Sequence, residues 1–173
     1  QIYNQTKSYL KNPQPVSDNL LYGEFHENSK HTTRMPYMKP VYDVLEKNRG
    51  KVIYFDFWAR WCPPCLAEME PLKQLRSKFS TDDLIIYSIC VSEPKEQWEE
   101  CLNEYSLRNR GIECVHVTDY LGIDNYQKIR KQWKIDRMPY YVLINRKGQI
   151  IDFGTAARPS NPQLVSRIEE AVK

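Results

Sequence analysis

Residues 51–58 read Lys-Val-Ile-Tyr-Phe-Asp-Phe-Trp, and residues 84–91 read Leu-Ile-Ile-Tyr-Ser-Ile-Cys-Val. Both are short, nearly continuous apolar runs rich in β-branched and aromatic residues. Such runs predict strands buried on both faces, which need helices packed above and below them. Between them Leu66, Met69, Leu72, Leu75 and Phe79 recur every three or four positions, the spacing of an amphipathic helix, with Pro71 placed to kink it. A helix over residues 39–50, ended by Gly50 at its C-cap, is expected before the first strand. Downstream the pattern predicts a helix presenting Trp98, Cys101, Leu102 and Tyr105, a short strand over 113–117 and a helix near 125–133. A strand over 140–145, an Asn-Arg-Lys-Gly turn, a strand over 149–153 and a helix carrying Leu164, Val165, Ile168 and Val172 close the chain. Alternating strands and helices predict an α/β layer with a partly parallel sheet, and the hairpin adds an antiparallel edge.

The 173 residues suit one domain of ordinary size plus an extension, long enough to bury a core without cross-links. Residues 1–36 hold scattered aromatics and three prolines with no sustained period, and read as an extension or linker; residues 37–173 read as the domain. The net charge is only +3 and the basic residues are dispersed, so a nucleic-acid partner is not expected. The locally basic segment 128–134 shares a helix with Tyr126, Ile129 and Trp133 and reads as a solvated face. No apolar run approaches the roughly 18 residues of a bilayer span. The chain begins at Gln1 without a recognisable leader, which predicts removal of a signal or of an upstream segment.

Five cysteines are an odd number, so at least one thiol is free or paired outside the chain. Two of them stand in Cys62-Pro-Pro-Cys65, where the first apolar run gives way to the helical pattern. Thiols at i and i+3 close a ring too small to constrain much of the unfolded chain, so a structural staple gains little there. Reversible chemistry is the better explanation. A helix N-terminus offers unpaired N–H groups to the first sulfur and favours thiolate over thiol. Cys62 is then the attacking thiol, and Cys65, deeper in the turn, the resolving one. Half of a zinc site is the competing reading, but structural zinc takes four ligands and the sequence has no second such pair. No metal or other cofactor is expected.

Asp56 interrupts a run expected to be buried, where an unpaired carboxylate is costly and tends to hold its proton. It is a candidate proton acceptor for the resolving thiol, the alternative being a hydrogen bond to backbone or to a lysine. Glu68 lies one turn beyond Cys65 on the same face and is a candidate for tuning the thiols, the alternative being an ordinary exposed helical glutamate. Cys90 and Cys101 read as core thiols, and Cys114 can pair with either only if their Cα atoms approach within about 7 Å. His26 and His31 fall in the irregular extension, and His116 is isolated.

The segment Phe-Asp-Phe-Trp-Ala-Arg-Trp-Cys-Pro-Pro-Cys, followed far downstream by Arg-Met-Pro-Tyr-Tyr-Val-Leu-Ile-Asn-Arg-Lys-Gly-Gln-Ile-Ile, resembles the thioredoxin superfamily, and within it the TlpA/ResA-type thiol-disulfide oxidoreductases. The resemblance covers roughly residues 37–173. It implies a thioredoxin-like fold with a helix-strand insertion near residues 95–118, for which the long span from Cys62 to Pro139 leaves room. It further implies that Cys62 is the nucleophile, Cys65 the resolving thiol, Asp56 the buried acid and Glu68 an active-site glutamate. Met138-Pro139 matches the cis-proline loop, so Trp61, Pro63, Pro64, Met138 and Pro139 would form the surface that meets substrate. The implied activity is exchange with protein thiols through a mixed disulfide, as a bacterial extracytoplasmic reductase fed by an upstream dithiol donor and often tethered to a membrane. Two departures stand out: Pro71 falls one residue later than the usual helix proline, and Met138 replaces the usual Thr, Val or Ile. A thiol peroxidase and a copper- or polypeptide-binding module are the alternatives.

Overall fold

The computed structural model describes residues 36–173, so nearly all of the extension, with His26 and His31, lies outside the described residues. Five strands form one mixed sheet: β1 (Val52–Trp58), β2 (Leu84–Cys90), β3 (Ile112–His116), β4 (Tyr140–Ile144) and β5 (Ile150–Gly154). Their spatial order is β3-β2-β1-β4-β5. The β1–β2 and β2–β3 pairs are parallel, while β4 and β5 join antiparallel. This is the thioredoxin-like arrangement, with β3 as the extra edge strand of the insertion.

Side-chain alternation sorts the sheet into two faces. Ile53, Phe55 and Phe57 of β1 pack with Ile89, Val142 and Ile144 against α1 (Lys39–Lys47), through Val41 and Val44. Tyr126 and Ile129 of α6 (Ile123–Gln132) complete that layer. On the opposite face Val52 and Tyr54 meet Leu72 and Leu75 of α3 (Met69–Lys78) and Leu164 and Ile168 of α7 (Pro162–Val172). Further along the same face, Trp58 and Cys90 meet Cys62 and Cys65 of the turn α2 (Pro63–Ala67) and its N-cap. Trp98, Cys101 and Leu102 of α4 (Lys95–Glu104) close that end. The short α5 (Val117–Tyr120) leads from β3 towards α6. Local sequence sets these ends: Asn161 Oδ1 accepts from Gln163 N–H at 3.0 Å with Pro162 at the first helical position, a conventional N-cap.

Several boundaries differ from expectation. The first helix stops at Lys47 rather than at Gly50, because Asn48 turns both its backbone N–H and its amide onto the Val44 carbonyl. Gly50 instead takes φ +78° in the following turn, where a side chain would be strained. The helix after the thiol pair is not one kinked rod but two, α2 and α3, which meet at Glu68. Pro71 has no N–H to give the Ala67 carbonyl, so the ladder breaks there and resumes with Leu72 N–H on the Glu68 carbonyl at 2.9 Å. Strand β3 runs one residue earlier than the expected 113–117, and Val117 already begins α5.

Candidate active site

Strand β1 delivers the chain to Cys62, whose backbone is extended and which caps α2. Pro63 and Pro64 suit the first turn, where a missing N–H costs nothing. Cys62 and Cys65 are joined by a disulfide with Cα atoms 5.3 Å apart. The Cys65 N–H also reaches the Cys62 sulfur at 3.3 Å, so a donor is already aimed where a thiolate would form. Because α2 is a single short turn, that local N–H, and not a long helix dipole, is the principal support for negative charge on Cys62. Cys62 is 3% exposed and Cys65 1%, whereas Trp61 beside them is 69% exposed. Pro63 and Pro64 are exposed too.

Asp56 lies on the same face of β1 as Trp58, two residues nearer the middle of the sheet. It is 4% exposed and, among the described residues, hydrogen-bonds neither backbone nor lysine. The Ser88 hydroxyl, its neighbour in the parallel register, lies 3.5 Å from Oδ2, and Oδ1 has no hydrogen-bond partner among the described residues. Burial pushes this carboxyl up to about 8; the Ser88 hydrogen bond opposes the rise and the Glu68 charge adds to it. Such an acid can take up and release a proton near neutrality.

Glu68 sits at the α2–α3 joint, not on an exposed helical face. It accepts the Ser160 N–H at 2.9 Å and the Ser160 hydroxyl at 2.5 Å, with Arg158 Nε 3.7 Å away. The carboxylate therefore clasps the loop before α7 to the helix that carries Cys65.

The Met138–Pro139 peptide bond is cis, and Met138 packs beside the cluster that holds both Cys62 and Cys65. The Thr155 hydroxyl donates to the Pro139 carbonyl at 2.9 Å and ties this loop to the turn that follows β5. Arg60, two residues before Cys62, gives its backbone N–H to Ser92 Oγ at 3.0 Å and its guanidinium to Cys101 Sγ at 3.0 Å and Glu104 at 3.3 Å.

Cys90, Cys101 and Cys114 are free thiols. Cys114 stands beside Ser88 in the register and Cys90 two residues further on, a diagonal of about 8 Å from strand spacing and rise. That is too far for a bridge. Burial pushes the Cys114 thiol up to about 12, and the charge of Asp56 adds to the rise. His116 is fully buried and satisfied: Nδ1 accepts from Thr118 N–H, and Nε2 lies 2.8 Å from the Ser92 carbonyl. It caps α5 and takes no part in a metal cluster among the described residues.

Sequence reading missed Ser88, Arg60, Ser92 and Ser160. Ser88 carried a usable signal, since it breaks the second apolar run much as Asp56 breaks the first. Arg60 adjoins the thiol pair in sequence, but its partners, like the roles of Ser92 and Ser160, are set only by tertiary contacts.

Comparison with known proteins agrees with this geometry. ResA, a thiol-disulfide oxidoreductase of Geobacillus kaustophilus, is 26% identical over 106 residues, which are 61% of this chain and 55% of that protein. The chain thus spans little more than half the length of that curated relative. The thioredoxin domain of a Bacteroides vulgatus thiol-disulfide oxidoreductase superposes with TM-score 0.62 at 22% identity, covering 75% of this chain and 84% of that one. A secreted disulfide oxidoreductase of Mycobacterium tuberculosis superposes with TM-score 0.55 at 20% identity, covering 72% of this chain and 85% of that one. The Redoxin family matches residues 39–172, nearly the whole described structure, and the chain is a member of that family with a thioredoxin-like fold.

Proposed function

We propose that the chain is a thiol-disulfide oxidoreductase that reduces disulfides in other proteins. The observation that carries this reading is the Cys62–Cys65 bridge at a helix start, above a strand whose buried acid titrates near neutrality. In the reduced protein the Cys62 thiolate attacks one sulfur of a substrate disulfide, forming a mixed disulfide and expelling the other sulfur as a thiolate. Asp56 accepts the Cys65 proton, directly or through water. The Cys65 thiolate then attacks Cys62 Sγ, which releases the second substrate thiol and closes the Cys62–Cys65 bond. Two electrons pass to the substrate, and an upstream dithiol protein restores them.

Trp61, Pro63 and Pro64 form the exposed rim over the bridge; with Met138, half-buried against the same cluster, and the buried Pro139 that follows it, they are the proposed substrate surface. Glu68 contributes through its charge on Asp56. Residues 37–173 are the proposed functional domain and 1–36 an extension, since Tyr37 and Met38 already pack in the core and the family match begins at residue 39. An extracytoplasmic site of action is proposed on likeness to the secreted relative. Among the described residues no helix is long and apolar enough to cross a membrane, so any tether would have to lie elsewhere.

Cysteine variants test the reading. Cys65→Ser should accumulate a mixed disulfide through Cys62 with a model protein disulfide, and Cys62→Ser should neither trap nor turn over. Peroxide reduction undiminished in Cys65→Ser, with a trappable sulfenic acid on Cys62, would instead identify a thiol peroxidase. Peptide or copper binding without any disulfide exchange would identify a binding module.

A further inference from the structure

Asp56, Ser88 and Cys114 form one row across three adjacent strands, and Trp58, Cys90 and His116 form the next row on the same face. A hydroxyl has one hydrogen to give and two lone pairs to offer. Indole is a donor only, and the Trp58 Nε1–H is given to Ser88 Oγ at 2.9 Å. With that lone pair taken, Ser88 directs its own hydrogen to Asp56 Oδ2, 3.5 Å away. The second carboxylate oxygen of Asp56 has no hydrogen-bond partner among the described residues. The charged form of the acid is thus supported by a single neutral donor whose direction is fixed by a tryptophan.

We propose that Ser88, oriented by Trp58, is the positioning residue that sets how readily Asp56 releases and regains a proton during disulfide exchange. The part played in exchange rests on the oxidoreductase reading above; the coupling itself rests on the hydrogen-bond chain. Asp56 is faced by Tyr54 and Trp58 from β1, Ser88 and Cys90 from β2, Cys114 from β3, Tyr141 from β4 and Glu68 from the α2–α3 joint. Among these, the Glu68 carboxylate is the one whose charge favours protonated Asp56. Ser88 is the opposing influence. A fixed cation there would hold the acid ionised throughout the cycle, whereas a hydroxyl steadies the carboxylate and still lets it reprotonate.

The test is a carbon-detected NMR titration of the Asp56 carboxyl in the oxidised protein, where no turnover is needed. Ser88→Ala should raise the midpoint by roughly 0.5–1 pH unit, the worth of one modest hydrogen bond to a charged acceptor. Trp58→Phe should raise it by less, because the freed hydroxyl keeps its place but loses its direction. Ser88→Thr should restore the wild-type midpoint. In turnover the Ser88→Ala pH profile should move with the titration, and in an Asp56→Asn background the same substitution should have no effect on it. A Ser88→Ala protein with native spectral dispersion and an unshifted midpoint would overturn the proposal, as would a shift caused equally by Ser88→Thr. A shifted midpoint in a protein that exchanges no disulfide would support the coupling and overturn the assigned activity.

Discussion

The Arg60 guanidinium donates to the Cys101 sulfur at 3.0 Å, which ties the segment just before the Cys62–Cys65 bridge to the helix of the insertion. The contact is reinforced from both sides. Glu104, one turn further along α4, holds the same guanidinium at 3.3 Å, and Ser92 holds the Arg60 backbone N–H. Ser92 in turn lies 3.2 Å from Cys90 Sγ, and its carbonyl accepts from His116 Nε2. The inserted helix and strand are therefore part of the frame that positions the bridge.

Arg60→Met keeps the apolar stem and removes the donors. It should speed amide hydrogen exchange in residues 60–65 and in α4 while leaving exchange in α7 unchanged. Equal acceleration everywhere would show that the contact has no local role.

Asp56 should give stability a distinctive pH dependence. Its folded pKa, about 8, lies above the ordinary 3.8, so between those values the folded protein binds a proton that the unfolded chain has lost. The group's contribution is therefore complete below about pH 4, is lost as pH rises towards 8, and stays constant above it. At about 1.4 kcal/mol per unit the full change is on the order of 4–6 kcal/mol. Asp56→Asn should flatten the urea-denaturation stability between pH 4 and 8 and be the more stable protein at pH 9. A stability profile parallel to wild type would refute this account.

Glu68 has two separable effects. Removing its bonds to Ser160 with Glu68→Ala should cost about 1–2 kcal/mol, the usual worth of charge-assisted hydrogen bonds near a surface. Glu68→Gln should retain part of that stability yet lower the Asp56 midpoint, opposite in sign to Ser88→Ala. Denaturation and NMR titration on the same two variants separate the clasp from the charge.

Thiol counting provides a direct check on the cysteines. The denatured oxidised protein should show three reactive thiols, and the reduced protein five. In the native oxidised state Cys114 should react first, because it alone of the three is partly exposed. Cys90 and Cys101 should react at the rate of local opening. Prompt labelling of Cys101 would contradict its packing behind Arg60.

The parts of this fold readable from sequence are those whose signals are local. Asp56 stood out because one acid breaks an apolar run, and the thiol pair because it marks a strand-to-helix junction. Helix ends proved harder. Gly50 looked like a terminator, but Asn48 had already closed the helix through a side chain whose target cannot be inferred from spacing. Pro71 announced a distortion without its place, since the effect of a missing N–H falls on the carbonyl four residues earlier. The Glu68 clasp was out of reach altogether, because Ser160 lies 92 positions downstream and meets it only once α7 has packed on the sheet.

The row of Asp56, Ser88 and Cys114 exists only through strand register. A slip of β2 by a single residue would present Tyr87 or Ile89 to Asp56 and send the serine to the far side of the sheet. Such a misfolded molecule would still hold Cys62 and Cys65 one turn apart and would still answer a thiol reagent. Labelling would count it as intact, but its acid would titrate without its donor. The pH profile of a preparation is thus an assay of folding fidelity, sensitive to errors that a cysteine count passes over.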